Sequence, residues 1–482
     1  MDYFKAAVFQ ARTREDDPAI ATFAGVASFG ALMRTTSAAI EALRAAGVTP
    51  STVVLIDVRN PLHHIALMIA LGLMGVPSGS VGTAFVAQTA GIAAQLYLTD
   101  RDDVELGGLS FAARRVDDRW FAVIPSAPVD YDALLAQPGF PSGQEVVRYV
   151  FSSGTTGVPK CVGITHSVLE QRMISTSMGL AWWAAGQGCL SMLGMSTIVG
   201  TLLPLMNLTA GRLLCFAANN KEVLQLLNLF GVSLLTLSVG QLQTLLAEMG
   251  NAPPPVALRM LTVAGARLPV ALLREARAKL CPNVWVSYGS TEMGNMSSGT
   301  STVLETEEGC AGYVWPWIQI ETVDDAGSVL PKGSEGALRV RSPEAAFYVG
   351  PNGQRQSLSD DWFYTGDIGR VGANRLLTIT GRASDVINRG GVVVAPEYIE
   401  EKMRSLPSIR DVAVFSVTAS SGLEQIWAAV VADRPIDRAS IIEQCRSSLN
   451  ERSPDRILQV KTIPRGETGK VMRAALRELA KE

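Results

Sequence analysis

The feature that most constrains the fold is an alternation of short apolar runs with longer helical segments through about the first 300 residues. The runs are rich in β-branched residues, as in 53–56, 234–239 and 284–286, and are typical of buried strands. Segments between them, such as 270–280, carry apolar residues at helical spacing. Since parallel strands need a crossover connection, usually a helix, this order predicts an α/β domain of mostly parallel sheets.

The pattern changes near residue 312. Residues 318–322 and 338–341 alternate apolar and polar side chains, with glycine-rich turns around them, which predicts a small antiparallel sheet or β-barrel over about 312–383. The remainder reads as strand, helix, two strands, helix, strand, and is long enough for a separate α+β domain. The sequence therefore predicts a large domain over 1–383 and a small C-terminal domain over 384–482.

Composition excludes several classes of protein. The net charge of −3 argues against nucleic acid as a partner, because neutralising phosphates needs a basic surface. The most apolar stretch, 65–76, is shorter than the roughly 20 residues of a membrane span, so it is predicted to be a buried helix. No signal-peptide pattern is evident, and six scattered cysteines without a CxxC pair favour reduced thiols in a cytoplasmic protein. Only three histidines are present, which makes a zinc site unlikely.

One loop carries a clear chemical signal. A β-branched run leads into Ser-Ser-Gly-Thr-Thr-Gly-Val-Pro-Lys, residues 152–160. Glycines let main-chain N–H groups turn inward as an anion nest, while hydroxyls and an ammonium add donors for a polyphosphate. The spacing does not match the nucleotide loop of P-loop kinases or GTPases, but a glycine-rich surface turn stays possible on these residues alone. The candidate phosphate-binding residues are Ser153, Gly154, Thr155, Thr156, Gly157 and Lys160.

This segment resembles the signature loop of the adenylate-forming superfamily, which comprises acyl-CoA synthetases, adenylation domains of peptide synthetases and luciferases. Further motifs of the superfamily follow in the expected order, and the resemblance spans about 147–475 and is strongest to AMP-forming acyl-CoA synthetases. They are Gly-Ala at 265–266, Ser-Tyr-Gly-Ser-Thr-Glu at 287–292, Tyr-Thr-Gly-Asp at 364–367, Gly-Arg-Ala-Ser-Asp at 381–385, and Pro-x4-Gly-Lys-x-x-Arg at 464–473.

The resemblance implies roles for individual residues. Lys470 would be the catalytic ammonium, assisted by Glu292 and Thr155, which would also hold Mg²⁺. Asp367 would accept the ribose hydroxyls and Arg382 would contact ribose and phosphate. The other residues implied to bind ATP or AMP are Gly265, Ala266, Ser287, Tyr288, Gly289 and Thr291, together with the loop residues above.

The resemblance also implies a moving C-terminal domain. Ser384 stands at the hinge, where relatives usually carry Asp or Lys, and Gly390 and Gly391 would line a tunnel for the thiol. That thiol would belong to coenzyme A or to the phosphopantetheine of a carrier protein. Relatives often have Lys in place of Asn388, which leaves the details of thiol transfer open.

The acid is predicted from the segment 193–200, which contains no acidic residue. A buried substrate ammonium without a counter-charge costs several kcal/mol, so an α-amino acid is disfavoured. The predicted acyl pocket is mainly apolar, which favours a fatty or similar acid, although each of its residues is more typical of plain core than of a pocket: Met195, Thr197, Val239, Ala264 and Met293. Two alternatives stay open: a stand-alone enzyme that loads an acyl carrier protein, and an inactive nucleotide-binding regulator. The sequence does not set the oligomeric state.

Overall fold

A computed structural model describes the chain from residue 2 to residue 480 apart from several segments. The residues outside the description are 83–91, 105–110, 124–126, 153–159, 180–187, 251, 306, 308, 351–352, 359–361, 384, 386, 390–391, 395, 419–423 and 467–468. The chain forms two compact units. The first unit comprises Met1–Val263, Arg274–Met296 and Arg341–Asp361, and the second comprises Ala264–Leu273, Ser297–Val340 and Trp362–Glu482.

The first unit contains two sheets. In one of them, Met260–Ala264 pairs in parallel with Val284–Ser290, and Gly188–Ser191 pairs in parallel with both of its neighbours. The predicted parallel α/β architecture is therefore confirmed for this part of the chain. The strand order is Val284–Ser290, Met260–Ala264, Leu234–Ser238, Gly188–Ser191, Leu213–Cys215, Pro18–Thr22 and Gly25–Ser28.

The second sheet of this unit is mixed. Val54–Asp57 pairs in parallel with strands on both sides, whereas Lys160–Thr165 is antiparallel to Val146–Ser152 and to Phe347–Val349. The strand order is Arg355–Ser357, Phe347–Val349, Lys160–Thr165, Val146–Ser152, Ser78–Ser80, Val54–Asp57, Leu96–Thr99 and Ala112–Arg115. Lys160, a candidate phosphate-binding residue, begins one of these strands.

Helices cover the sheets of the first unit. The most apolar of them, Pro61–Leu73, begins where the Asn60 side chain accepts from the main-chain N–H groups of Leu62 and His63, and it is buried from His63 onward. The predicted buried helix near 65–76 is confirmed, and no helix in the described part of the chain is long and apolar enough to cross a membrane. The helices are Tyr3–Thr13, Phe29–Ala45, Pro61–Leu73, Asp118–Phe121, Tyr131–Leu135, His166–Gly179, Val199–Thr209, Asn220–Leu229, Val239–Met249 and Val270–Lys279, of which the last has residues in both units.

The second unit begins with an antiparallel sheet, as the alternation after residue 312 predicts. In it Asp367 lies opposite Arg382, because Phe363–Val371 and Leu376–Arg382 are neighbours in register. The strand order is Gln319–Val323, Gly336–Arg341, Phe363–Val371, Leu376–Arg382, Cys310–Val314 and Gly294–Thr300, with the short helix Ser301–Leu304.

The C-terminal part of the second unit has a core of its own side chains, which runs from Ile387 to Ile457. The order expected from the sequence is present, with an additional strand, Val392–Val394, before the first helix and an additional helix, Arg473–Leu479, after the last strand. The helices are Pro396–Arg404, Arg438–Leu449, Asn450–Arg452 (3₁₀) and Arg473–Leu479. The strands are the pair Ile387–Arg389 and Val392–Val394, and the sheet Asp411–Thr418, Glu424–Val431 and Arg456–Gln459.

Candidate active site

In the first unit, Lys160 lies beside an aromatic ring. The strand that begins at Lys160 is antiparallel to Phe347–Val349, with Val162 opposite Tyr348. The exposed Lys160 ammonium stands 5.2 Å from the centroid of the Tyr348 ring, which is cation–π distance. The other predicted members of the phosphate loop lie outside the described residues, so their roles stay predictions: Ser153, Gly154, Thr155, Thr156 and Gly157.

Glu292 contacts the same tyrosine. The Tyr348 hydroxyl donates to Glu292 Oε1 at 3.1 Å, and the Ala346 N–H donates to the Glu292 carbonyl at 2.8 Å. Burial and the neighbouring carboxylate raise the pKa of Tyr348, so its hydroxyl stays a proton donor at neutral pH. The structure therefore brings Lys160 and Glu292 together around a residue that none of the sequence motifs includes.

The carboxylate of Glu292 fits a magnesium ion that arrives with a nucleotide. It is half-buried, and Tyr348 donates to one of its oxygens. No cluster of three or more potential metal ligands occurs among the described residues. Mg²⁺ is usually held by one or two carboxylates together with substrate phosphates, and a single glutamate suits that mode.

The turn before Glu292 is closely packed. A Cβ on Gly289 would stand 2.4 Å from the Gly294 carbonyl oxygen, so only glycine fits there. Ser287 and Tyr288 are half-buried on the strand Val284–Ser290, and Thr291 directly follows its end. The predicted adenine and phosphate contacts of these residues are thus placed at a strand end, where ligands commonly bind.

A buried arginine supports this turn. Arg172 donates to the carbonyl oxygens of Thr291, Glu292 and Glu344 at 2.8–3.1 Å. It belongs to the helix His166–Gly179, and sequence reasoning missed it. No local pattern marks it, because the residues it contacts are 119 or more positions away along the chain.

In the second unit, Asp367 and Arg382 form an ion pair. Arg382 Nε lies 2.9 Å from Asp367 Oδ1, and both side chains are largely buried. The turn before the aspartate is fixed by Gly366, whose φ of +75° lies in the left-handed region, and by Thr365 Oγ1, which accepts from the Asp367 N–H at 3.0 Å. Two residues predicted to hold the ribose are therefore in contact.

Lys470 is carried by a hairpin in the same unit. The Gly466 N–H donates to the Lys470 carbonyl at 2.8 Å, and the Met472 N–H donates to the Pro464 carbonyl at 2.9 Å. Arg465 anchors the hairpin by two contacts of 2.8 and 2.9 Å with the Asp411 carboxylate.

The ammonium of Lys470 lies in a polar, half-buried environment. Burial lowers its pKa, the charge of Arg382 lowers it further, and the carboxylates of Asp385 and Asp367 oppose both effects. The charges that act on this ammonium therefore include those of the predicted ribose-binding pair, together with Asp385 and Arg473. Within the second unit, the structure brings Lys470, Asp367 and Arg382 into one cluster.

Arg473 ties the hairpin to the residue next to the predicted hinge. It donates to Asp385 Oδ2 at 2.7 Å, to Glu400 Oε1 at 2.9 Å and to Glu397 Oε1 at 3.2 Å. The hinge residue Ser384 lies outside the described residues. The tunnel residues Gly390 and Gly391 also lie outside the described residues. The assignments of all three residues therefore stay predictions.

The residues predicted around the acid end or follow four strands that are neighbours in one sheet. Met195 and Thr197 belong to the turn before the helix Val199–Thr209, where Thr197 Oγ1 donates to the Gly194 carbonyl at 2.8 Å. Val239 begins a helix and is 9% exposed, and Met293 is fully buried.

Ala264 ends the strand Met260–Ala264, followed by Gly265 with a φ of +90° and by half-buried Ala266. The assignment of these residues to adenine and acid binding stays a prediction.

Comparisons with known proteins agree with this chemistry. The chain is 26% identical over 448 residues to 2-succinylbenzoate–CoA ligase of Bacillus cereus, covering 90% of both chains. The relative of that name from Bacillus cytotoxicus is 27% identical over 345 residues, covering 70% of this chain and 71% of the relative.

Solved structures show the same fold. O-succinylbenzoate coenzyme A synthetase of Bacillus subtilis, solved with its acyl-adenylate intermediate, superposes with a TM-score of 0.81 at 20% identity and 98% coverage of both chains. The same enzyme has been solved with ATP and a magnesium ion. An anthranilate CoA ligase with anthranoyl-AMP gives a TM-score of 0.83 at 18% identity, covering 100% of this chain and 97% of the ligase.

The family assignment follows from a match along most of the chain. Residues 8–347 match the family described as AMP-binding enzyme. The chain belongs to the AMP-binding enzyme family and is an adenylate-forming ligase of the acyl-CoA synthetase type.

Proposed function

We propose that this enzyme activates an apolar carboxylic acid with ATP as an acyl-AMP, releases pyrophosphate, and then transfers the acyl group to coenzyme A. The observation that carries the proposal is the half-buried Lys470 ammonium in one cluster with Asp367 and Arg382. In-line attack on the α-phosphorus of ATP is helped by a compact cation near the reacting oxygens. A neighbouring carboxylate that accepts the ribose hydroxyls would hold the nucleotide beside that cation.

In the first step, an oxygen of the substrate carboxylate bonds to the α-phosphorus and the bond to the pyrophosphate oxygen breaks. Lys470 neutralises charge on the reacting oxygens, while Lys160 and the 153–157 segment hold the departing phosphates. Glu292, with Thr155, would hold Mg²⁺, which when bound neutralises phosphate charge. In this proposal, Lys470, the phosphate-binding residues and the metal-binding residues all serve one reaction.

In the second step, the thiolate sulfur attacks the acyl carbonyl carbon and AMP leaves. We propose that residues 384–482 act as a small domain that turns about Ser384, which would withdraw Lys470 and bring Gly390 and Gly391 to the thiol. Coenzyme A is the proposed acceptor, which the name of the Bacillus cereus relative supports. The carrier-protein alternative uses the same phosphopantetheine chemistry.

The acid is proposed to be an aryl or fatty acid. The 193–200 segment, which includes Met195 and Thr197, offers no charged side chain to pair a second charge on the substrate. The similar enzymes act, by their names, on 2-succinylbenzoate and anthranilate, which supports an aromatic acid as the first class to test.

The test is ATP–pyrophosphate exchange with a panel of aryl acids, fatty acids, dicarboxylic acids and α-amino acids. We expect exchange with an aryl or fatty acid and none with α-amino acids. Positive acids are then offered with coenzyme A and, separately, with a phosphopantetheinylated carrier protein. Tight ATP binding without exchange for any acid would instead support the inactive regulatory alternative.

A further inference from the structure

We propose that Arg172 is a positioning residue for the reaction: it fixes the main chain that carries Glu292 and so sets where the carboxylate meets Mg·ATP. The inference rests on the proposed role of Glu292 as the magnesium ligand. Arg172 belongs to none of the motifs that carry the family resemblance, and it lies near the middle of its helix, His166–Gly179.

The guanidinium of Arg172 is buried, and its hydrogen bonds go to main-chain carbonyls, while the charges of Glu344 and Glu292 also favour its protonated form. Its side chain is 1% exposed, and burial lowers its pKa to about 10. Nη1 donates to the Thr291 carbonyl at 3.0 Å, Nη2 to the Glu292 carbonyl at 3.1 Å, and Nε and Nη2 to the Glu344 carbonyl at 3.1 and 2.8 Å. A buried charge is costly unless its N–H groups are satisfied, so these carbonyls must stay in place around it.

The two segments that Arg172 joins are the ones that place the Glu292 side chain. The Ala346 N–H donates to the Glu292 carbonyl at 2.8 Å, and the Tyr348 hydroxyl donates to Glu292 Oε1 at 3.1 Å. The position of the carboxylate therefore depends on the spacing between 291–292 and 344–348. Arg172 sets that spacing because it donates to both segments at once.

This geometry requires an arginine side chain, because a cationic charge alone would not reach all of these carbonyls. A planar guanidinium points its N–H groups in several fixed directions, whereas a lysine ammonium is a single nitrogen. The helix that carries Arg172 also begins directly after the strand Lys160–Thr165. One side chain thus links the strand of the phosphate-binding lysine to the turn of the metal-binding glutamate.

The experiment compares Arg172→Lys and Arg172→Gln with the wild type, using Mn²⁺ as a paramagnetic substitute for Mg²⁺. Binding of Mn²⁺ is followed by electron paramagnetic resonance in the presence of a non-hydrolysable ATP analogue. Groups that orient a metal ligand typically contribute 10–100-fold to metal affinity, and we expect a loss of about that size. Thioester formation from supplied acyl-AMP needs no metal and should stay close to the wild-type rate.

Arg148→Lys is the matched control. Arg148 is equally buried, its pKa is also lowered to about 10 by burial, and it donates to Ser78 Oγ at 2.8 Å and to Ser80 Oγ at 2.6 Å. Its hydrogen bonds do not involve the Glu292 turn. We expect this variant to lower the thermal unfolding midpoint of the ligand-free protein and to keep wild-type affinity for Mn²⁺.

The outcomes separate the inference from the proposed function. Wild-type Mn²⁺ affinity in folded Arg172 variants would overturn the inference, as would an equal loss in Arg148→Lys. Unfolding of both Arg172 variants without ligand would assign the residue to the fold alone and would also overturn it. If the wild type itself binds no Mn²⁺ with the ATP analogue, the proposed role of Glu292 is wrong.

Discussion

The two groups of functional residues are held in place by different forces. In the first unit, the arginine that supports Glu292 bonds to main-chain carbonyls, and Lys160 stands over a tyrosine ring. In the second unit, Arg382 and Arg473 each pair with carboxylates. Hydrogen bonds to carbonyls keep one geometry irrespective of pH, whereas ion pairs respond to protonation and to the local field.

The difference suits the roles proposed for the two regions. A magnesium ligand must stay at a fixed position through the reaction, and neutral dipoles do not titrate. A hairpin that must leave after the first step is better held by charges that can exchange partners. We therefore expect the ion-pair network to be the part of this enzyme that is most sensitive to substitution.

Removing the centre of that network should have the largest effect. Arg473→Met would leave Asp385, Glu397 and Glu400 without their shared cation, although burial already raises the pKa of Glu397. Breaking a buried ion pair typically costs about 3–5 kcal/mol, so we expect a loss of that size in the free energy of unfolding of the C-terminal region. Hydrogen exchange of the strand Asp411–Thr418 under urea measures it.

The control for this variant is Arg446→Met. Arg446 pairs with Glu443 on the surface of the same unit, where both side chains are mostly exposed. Exposed ion pairs contribute at most about 1 kcal/mol, so the control should lower the free energy of unfolding only slightly. If Arg473→Met lowered the free energy of unfolding by no more than Arg446→Met does, the network would not stabilise the C-terminal region.

Lys470→Ala should have the next largest effect, and it tests whether the two half-reactions use different residues. Loss of one donor that stabilises transition-state charge typically lowers the rate by about 10²–10³-fold, which we expect for adenylation. Thioester formation from supplied acyl-AMP should be nearly unchanged. ATP–pyrophosphate exchange and single-turnover thioester formation measure the two steps.

The exposed Lys461 lies in the same unit and provides the control variant Lys461→Ala, which should keep both rates. An equal loss in both steps for Lys470→Ala would contradict the proposed withdrawal of the hairpin.

Much of the fold follows from the sequence, because strands and helices are encoded locally. The second helix predicted in the C-terminal region is Arg438–Leu449, and it begins where the Asp437 side chain accepts from the first main-chain N–H groups. The strand predicted at 284–286 extends to Ser290, beyond its apolar part. There the apolar run gives way to residues 287–290, which belong to the motif at 287–292.

The site is less predictable from sequence, because its supports connect distant segments. Motifs mark Asp367, Arg382 and Lys470, and the structure clusters them. Along the chain, Tyr348 is 56 residues from Glu292 and Arg172 is 120 residues from Glu292. No periodic pattern in the sequence indicates a contact between such distant segments. Met293, predicted at the acyl pocket, is fully buried, and its role there stays a prediction.

The smallest predicted effect concerns pH and distinguishes the two regions directly. Burial and Arg382 lower the pKa of Lys470 below the 10.5 of an ordinary lysine, so the ammonium is lost earlier as pH rises. Adenylation should therefore fall on the alkaline side with a midpoint below 10.5, while the thioester step, measured over the same range, should lack that limb. Asp367→Asn removes a carboxylate that opposes the shift, and should move the midpoint to still lower pH. A midpoint that stayed fixed in Asp367→Asn would mean that this carboxylate does not act on the ammonium, and the ion-pair description of the second unit would then fail at its catalytic residue.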